Sequence, residues 1–245
     1  MAIQLNGSDQ WVGYYDAAVF NFPMTIAGWF RTTSASAQQH CAAICRFAST
    51  NMHLWLGFRG DIGGDPVAFS IRDNTPLVIY AETTTGYSIN TWHHLAGVWA
   101  AADDIRVYID GGSKGIATTP TLLTGLVTAN RTCYGVSDGA GTAYYLQGRV
   151  AEPCVWTVAL NDDEIADLAT GIHPWAVRPQ ITSYNPLASS VNKGDWARDQ
   201  DWGAYYGPGD AVDHPPMRYL GHPMTFERAT DYAGTVGPMP RFYRS

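Results

Sequence analysis

Charged residues are scarce in this 245-residue chain. Only 15% of its residues are charged, against about a quarter in typical soluble domains. The 15 lysines and arginines are scattered along the sequence, and the formal net charge is −7. Proteins that bind nucleic acid cluster their basic residues on a phosphate-binding face. The sequence therefore predicts no nucleic-acid partner.

Cysteine is also rare. The four cysteines are too few for a disulfide scaffold, and they lack the C-x-x-C spacing of a zinc site. They are Cys41, Cys45, Cys133 and Cys154. Buried free thiols are the favoured interpretation, although Cys133 and Cys154 could pair if their strands are neighbours.

Targeting and membrane segments are not apparent. No basic segment followed by an apolar one opens the chain, and no apolar run approaches the length of a membrane span. We therefore expect synthesis in a cytoplasm and no membrane partner. A later location in an assembled particle stays open.

Glycine and aromatic residues, by contrast, are plentiful. The chain has 25 glycines and 13% aromatic residues, and this composition favours strands and turns over helices. Ile105, Val107 and Ile109 alternate with more polar residues, which is the pattern of a half-buried strand with one wet face. Residues 110–112 (DGG) then supply a tight hairpin turn.

One short helix is predicted over residues 161–170. Asn161 can cap it, and Glu164 stands where a capping box places its acidic residue. Gly171 follows as the stop signal. A helix of this length is too short to be stable alone, so we expect it to dock on the strands.

The sequence changes character after residue 173. Residues 174–245 hold 9 of the 14 prolines and 11 aromatic residues. Proline disfavours helix and favours extended chain, and aromatic side chains are costly to leave in water. We therefore predict an extended C-terminal arm that packs on something, either neighbouring subunits or its own body. Its predicted interface residues are Trp175, Trp196, Trp202, Tyr205, Tyr206, Phe242 and Tyr243.

Three segments resemble the laminin G-like (concanavalin A-like) jelly-roll superfamily. They are residues 5–12 (LNGSDQWV), residues 92–98 (WHHLAGV) with 105–111, and residues 148–156 (GRVAEPCVW) with 159–165. The resemblance implies an all-β, antiparallel β-sandwich over residues 1–173, with one short helix and then the arm at 174–245. It says little about function, because this fold carries lectins, hydrolases, adhesins and structural proteins.

The end of the chain carries a second resemblance. Residues 172–179, with the later His-Pro-Pro at 214–216, are similar to the ends of laminin G-like proteins encoded among tailed-bacteriophage structural genes. This implies a virion component made in a host cytoplasm, either a capsid decoration protein or a tail-associated one. Such a protein would attach through its arm, as a homo-oligomer or to capsid or tail proteins, and display the sandwich.

A carbohydrate-binding lectin or adhesin is the main alternative. It needs an exposed aromatic platform, and Trp55, Trp99 and Trp156 are candidates by residue type. Each lies in a predicted strand, so the core is the favoured location for all three.

Catalysis is not expected. A glycoside hydrolase needs two carboxylates flanking the scissile bond, and the relatives that hydrolyse glycans usually carry them as E-x-D-x-x-E on one strand. Here Glu82, Glu152 and Glu164 are each isolated. No Ser-His-Asp order is apparent either.

No metal site is assigned. His93 and His94 are adjacent in a predicted strand, so they point to opposite faces and cannot share a metal ion. We expect one to be buried and the other exposed. Calcium is the one cofactor that the resemblance allows, at acidic loop residues that solvation alone would also explain. Those residues are Asp61, Asp65, Asp103, Asp104 and Asp138.

Overall fold

A computed structural model describes most of the first 184 residues. The described residues are 2–14, 17–18, 21–46, 52–73, 78–117, 129–137, 144–179 and 181–184. Residues 185–245, which hold six of the seven predicted interface residues, lie outside this set.

The described chain forms thirteen strands and two short helices. The strands are β1 (Ile3–Asn6), β2 (Val12–Tyr14), β3 (Met24–Thr32), β4 (Gln38–Cys45), β5 (Met52–Arg59), β6 (Pro66–Asp73), β7 (Ile79–Gly86), β8 (His93–Ala101), β9 (Asp104–Ile109), β10 (Gly112–Ile116), β11 (Arg131–Tyr134), β12 (Gln147–Trp156) and β13 (Ile181–Tyr184). The helices are α1 (Asp162–Ala169) and α2 (Pro174–Val177).

The strands build two antiparallel sheets packed as a sandwich. Sheet A has the order β1-β12-β3-β8-β9-β10, with β13 beside β12, and sheet B has the order β2-β11-β4-β5-β6-β7. This architecture confirms the predicted antiparallel β-sandwich. No helix in the described part of the chain is long and apolar enough to cross a membrane.

Alternation along the strands creates the core. In β9 the side chains of Ile105, Val107 and Ile109 are buried between the sheets, as predicted. Tyr108, on the face predicted to be wet, is buried as well. Helix α1 covers that face, and the Tyr108 hydroxyl donates a hydrogen bond to Asp162 Oδ1 at 2.7 Å.

Helix α1 forms where the sequence predicts it. Asn161 accepts a hydrogen bond from the Glu164 amide, and the Glu164 carboxylate accepts one from the Asn161 amide, each at 2.9 Å. This reciprocal capping satisfies amides that the first turn leaves unpaired. Ile165 and Leu168 are buried against the outer face of sheet A, so α1 docks on the sandwich as expected.

The sandwich continues past residue 173, where the sequence analysis placed the start of the arm. His173 caps α2, whose first residue is Pro174, a position that tolerates proline because its amide needs no partner. The Trp156 indole then donates to the Arg178 carbonyl at 3.0 Å. Strand β13 pairs with the second half of β12. The interval 174–184 therefore packs on sheet A in this chain.

The two sheets approach closely at Gly97 of β8. A Cβ atom at this position would lie 2.4 Å from the Phe69 ring, which projects from sheet B. Real carbon atoms do not approach so closely, so Gly97 fixes the local spacing between the sheets.

We predict that Gly97→Ala lowers the free energy of unfolding by about 1–3 kcal/mol, because the Phe69 ring must move within a packed core. Gly63→Ala is the matched control, since a Cβ there meets no atom within 4 Å. It should change stability by less than about 0.5 kcal/mol. Urea denaturation measures both, and equal effects would contradict the proposed close approach.

Candidate functional site

The outer face of sheet B carries a row of aromatic side chains. Leu54, Leu56 and their neighbours on β6 and β7 point into the core, so the alternate residues Trp55, Ser70 and Tyr80 point outward. The strand register places Ser70 directly between Trp55 and Tyr80.

Two further rings extend the row across β4. The His40 ring stacks on Trp55 with a centroid distance of 4.1 Å and on Tyr144 with a centroid distance of 4.8 Å. On the other side, Tyr80 meets Trp55 edge to face at 6.0 Å. We call Tyr144, His40, Trp55 and Tyr80 the aromatic row.

Only the two ends of the aromatic row reach solvent. His40 and Trp55 are buried, whereas Tyr80 is 42% exposed and Tyr144 is 47% exposed. Large aromatic side chains are usually covered in a folded protein. The row therefore presents two exposed phenol rings on a rigid, buried base.

The backbone at Tyr144 is strained. Its φ is +84°, a left-handed value that is unfavourable for a bulky residue. A hydrogen bond of 2.9 Å from the His40 amide to the Tyr144 carbonyl helps to hold this conformation. Strain of this kind costs about 1–3 kcal/mol and concentrates at binding and catalytic sites.

Two buried polar atoms belong to the aromatic row or lie between its members. Among the described residues, His40 Nδ1 and Ser70 Oγ have no hydrogen-bond partner. Burial, and then the electrostatic effects of His53 and Arg59, hold the pKa of His40 well below its ordinary value, so the ring is neutral. His40 Nε2 lies 2.7 Å from the Gln38 amide nitrogen, which donates to it. The His40 proton therefore resides on Nδ1.

Charged side chains form a rim beside Tyr80. The Arg59 guanidinium lies over the Tyr80 ring, 5.4 Å from its centroid. It binds Asp61 through two hydrogen bonds of 2.8 and 3.0 Å and Glu82 through one of 3.2 Å. The pKa of Asp61 is lowered by the Arg59 hydrogen bond. Arg59 thus pairs with both neighbouring carboxylates, which outnumber its single positive charge.

The candidate calcium ligands that the structure describes have separate roles. Asp61 is bound to Arg59, and Asp104 binds Arg106 in the same way. Asp65 adopts a positive φ of 47° in a turn, and Asp103 is exposed. Asp138 lies outside the described residues. In the part of the chain that the structure describes, no group of three or more His, Cys, Asp or Glu side chains could hold a metal ion.

The three tryptophans proposed as a sugar platform are buried, as favoured from the sequence. Trp99 lies between the sheets, and Trp156 lies under α1 and α2. Trp55 differs from these two because it points outward and forms the base of the aromatic row. The exposed rings, Tyr80 and Tyr144, were not identified from the sequence.

The prediction that one of His93 and His94 is exposed is wrong, because both are buried. His93 is held by Ser88 and Asp110, and the His94 ring packs edge-on against Trp29 with a centroid distance of 5.4 Å. Burial lowers the pKa of His94 to about 4 against the opposing influence of Asp110.

The structure also brings together a Ser-His-Asp set that the sequence analysis missed. His93 Nδ1 lies 2.7 Å from Asp110 Oδ2, and His93 Nε2 lies 3.2 Å from the Ser88 hydroxyl. The Ser88 amide, however, donates to the same Nε2 at 3.0 Å, and Asp110 also accepts from the His94 amide at 2.9 Å. These bonds tie the loop before β8 to the β9–β10 turn, which is a structural role.

The three glutamates considered as catalytic candidates lie on different elements of the fold. Glu152 is buried on sheet A at a bulge in β12, with a φ of +51°, while Glu82 lies on sheet B and Glu164 on α1.

All four cysteines are buried free thiols, as favoured from the sequence. Cys133 lies on sheet B and Cys154 on sheet A, so the two do not pair.

Comparison with known proteins identifies the fold. A family model described as the concanavalin A-like lectin/glucanases superfamily matches residues 6–166. The CBM40 module of the Ruminococcus gnavus IT-sialidase, in a structure bound to α2,3-sialyllactose, has a TM-score of 0.53 at 16% identity, over 69% of this chain and 98% of that one. The leech intramolecular trans-sialidase has a TM-score of 0.50 at 16% identity, over 68% and 26%. No curated protein sequence matches the chain.

The buried histidines predict an acid-sensitive fold. Unfolding restores an ordinary pKa of about 6.5 to His94, so the unfolded state binds the extra proton between pH 6.5 and pH 4. Stability is therefore fully present above this range and is lost as the pH falls through it. Through His94 alone, the free energy of unfolding should fall by about 2 kcal/mol between pH 7 and pH 5.

Urea denaturation of the wild type and of His94→Phe at both pH values tests this. Phenylalanine keeps a ring against Trp29, and among the described residues His94 Nδ1 has no hydrogen-bond partner to lose. The variant should show a pH difference smaller by about 2 kcal/mol. The same pH dependence in both proteins would show that His94 is not buried in its neutral form.

Proposed function

Because the chain belongs to the concanavalin A-like lectin/glucanase superfamily, we propose that its sandwich binds a glycan on the outer face of sheet B, without catalysing a reaction. The observation that carries this proposal is the aromatic row, whose two exposed rings, Tyr80 and Tyr144, stand on the buried pair His40 and Trp55. The CBM40 module bound to sialyllactose has the same fold, so this fold can carry a glycan site.

The chemistry of the row suits a sugar. A pyranose ring has an apolar face of C–H bonds that packs on a flat aromatic ring, and its hydroxyls need polar partners at the edge. The Tyr80 and Tyr144 rings offer two such surfaces. The Glu82 carboxylate, which Arg59 holds in place beside Tyr80, supplies an acceptor for such a hydroxyl.

Rigidity favours binding on this face. The rings are fixed by mutual stacking and by the sheet beneath them, so a ligand does not have to order them. Preorganised sites of this kind lose less conformational entropy when they bind. The strained backbone of Tyr144 is consistent with a position held for contact with a ligand.

The proposed absence of catalysis rests on the carboxylates. Hydrolysis of a glycosidic bond needs one carboxylic acid and one carboxylate at opposite sides of the bond. Glu82, the glutamate beside the row, is bound to Arg59, and Glu152 lies on the other sheet. Because they lie on different sheets, Glu82 and Glu152 do not flank a common bond at the aromatic row.

We predict that Tyr80→Ala and Tyr144→Ala each weaken glycan binding about threefold to tenfold, the loss expected for one aromatic contact. Ile116→Ala is the matched control, because Ile116 is also exposed but lies on sheet A. A glycan array followed by calorimetry measures the affinities, and thermal melting checks the fold. The same samples should release no reducing sugar.

Unchanged binding in both tyrosine variants would place the glycan elsewhere. Release of sugar by the wild type, abolished by Glu82→Gln, would contradict the proposed absence of catalysis.

A second role is proposed for the C-terminal arm. The part of the arm beyond β13, residues 185–245, contains nine aromatic residues. The end of the chain also resembles the ends of laminin G-like proteins encoded among phage structural genes. Aromatic side chains of this number could bury the roughly 1,200–2,000 Å² of a stable interface. We propose that the arm attaches the sandwich to other copies or to capsid or tail proteins of a virion, so that the glycan-binding face is displayed.

Truncation after Tyr184 tests the arm. The cut follows β13 because that strand belongs to sheet A. We predict that the truncated protein stays folded but becomes a monomer by light scattering, while the full chain assembles. A full-length variant with serine at six positions is the matched control for length and should also be monomeric. Those positions are Trp196, Trp202, Tyr205, Tyr206, Phe242 and Tyr243. An unchanged oligomeric state in both would refute attachment to other copies through the arm.

A further inference from the structure

The aromatic row runs straight across the strands of sheet B. Trp55 of β5 and Tyr80 of β7 both lie opposite Ser70 of β6, the strand between them. His40 stands on β4, which pairs with the other edge of β5. The Tyr144 carbonyl accepts the His40 amide at the edge of β4 that faces away from β5. Tyr144 and Tyr80 are therefore the two ends of one line.

The steps along this line set the separation of the two exposed rings. Successive ring centres along the row are 4.8, 4.1 and 6.0 Å apart. Neighbouring strands of a sheet are about 4.8 Å apart, and one residue of a linear glycan adds roughly the same length. The two tyrosines are thus about three sugar residues apart.

The middle of the row is closed to a ligand. His40 is 3% exposed, Trp55 is 2% exposed, and Ser70 is fully buried. Ala43 and Ala68 pack against Trp55 from the neighbouring strands, so the base of the row has no space to open into. Among the described members of the row, the two tyrosines are the ones that a ligand can touch. A glycan must therefore lie across the row instead of entering it.

The two exposed rings are held at a fixed spacing. Tyr144 is fixed by stacking on His40 and by the hydrogen bond of 2.9 Å that its carbonyl accepts. Tyr80 is fixed by Trp55, at 6.0 Å, and by the Arg59 guanidinium, at 5.4 Å. Two contacts at a fixed spacing favour a ligand that reaches both at once.

We infer that the site takes a linear oligosaccharide of about four residues or more, which crosses the row and contacts one tyrosine near each end. This inference rests on the proposed glycan-binding function and specifies the ligand class. A monosaccharide, or a short branch at the end of a glycan, reaches one tyrosine at a time.

Crossing the row increases affinity because the second contact becomes intramolecular. When one sugar is bound at Tyr144, the chain holds a later sugar near Tyr80 at a high effective concentration. The second aromatic contact should then tighten binding about threefold to tenfold. The sugars between the two ends lie above buried rings and serve mainly to connect the contacts.

The experiment measures the affinity of the full chain for linear oligosaccharides of increasing length. The probes are the disaccharide and tetrasaccharide of five series: cello-, malto-, xylo-, β1,4-galacto- and α1,5-arabino-oligosaccharides. We expect at least one series in which the tetrasaccharide binds about threefold to tenfold more tightly than the disaccharide. Calorimetry supplies the dissociation constants.

Two substitutions identify the cause of this gain. In Tyr80→Ala and in Tyr144→Ala, the gain from disaccharide to tetrasaccharide should fall below about twofold, because one exposed ring remains. The disaccharide itself should lose no more than about twofold in either variant, since it needs one ring only. Ile116→Ala, on sheet A, should keep the whole gain of the wild type.

The outcomes separate this inference from the proposed function. A disaccharide that binds as tightly as the tetrasaccharide, but is lost in Tyr80→Ala, would overturn the inference and leave the glycan-binding function standing. A gain that survives in both tyrosine variants would also overturn it, because the longer chain would then gain only from having more ways to bind. Failure of all five series, with a different glycan bound on the array, would overturn the inference as well. Failure to bind any glycan, in these series or on the array, would overturn both.

Discussion

The molecule depends on one constraint, which is that neighbouring residues of a strand face opposite sides of its sheet. Each sheet of the sandwich therefore has an inner face that builds the core and an outer face that is either covered by other elements or exposed to solvent. On sheet A the outer face is covered by α1 and α2, which bury Tyr108 and Trp156. On sheet B the described outer face is built from stacked rings and charged side chains. Among the described residues, the strongly exposed aromatic rings lie at sheet B, which is why we propose the glycan site there.

Much of the fold could be predicted because local signals and the family resemblance agree. The alternating residues of β9 give its core face, and Asn161 with Glu164 gives the start of α1. The continuation of the sandwich through β13 could not be predicted, since the prolines around it indicate extended chain without naming a partner. Strand pairing over a long separation is set by tertiary contacts, and residues 181–184 carry too short a pattern to reveal it.

The candidate site was harder to predict than the fold. Alternation shows that Trp55 and Leu56 face opposite ways, but not which of the two faces is the core. Tyr80 was one aromatic residue among many, and Tyr144 joins the row through a hydrogen bond to β4 that no spacing predicts. The burial of both His93 and His94 was missed for a similar reason, because His93 is held by the loop of Ser88 and by Asp110, and His94 packs against Trp29, contacts that a strand pattern does not show.

The central claim is that a glycan binds on the outer face of sheet B, against the aromatic row. Nuclear Overhauser contacts between the protons of a bound oligosaccharide and the protein's ring protons measure this location directly. The account predicts contacts from the sugar to the rings of Tyr80 and Tyr144. Contacts confined to sheet A, for example to Ile116 near α1, would contradict it.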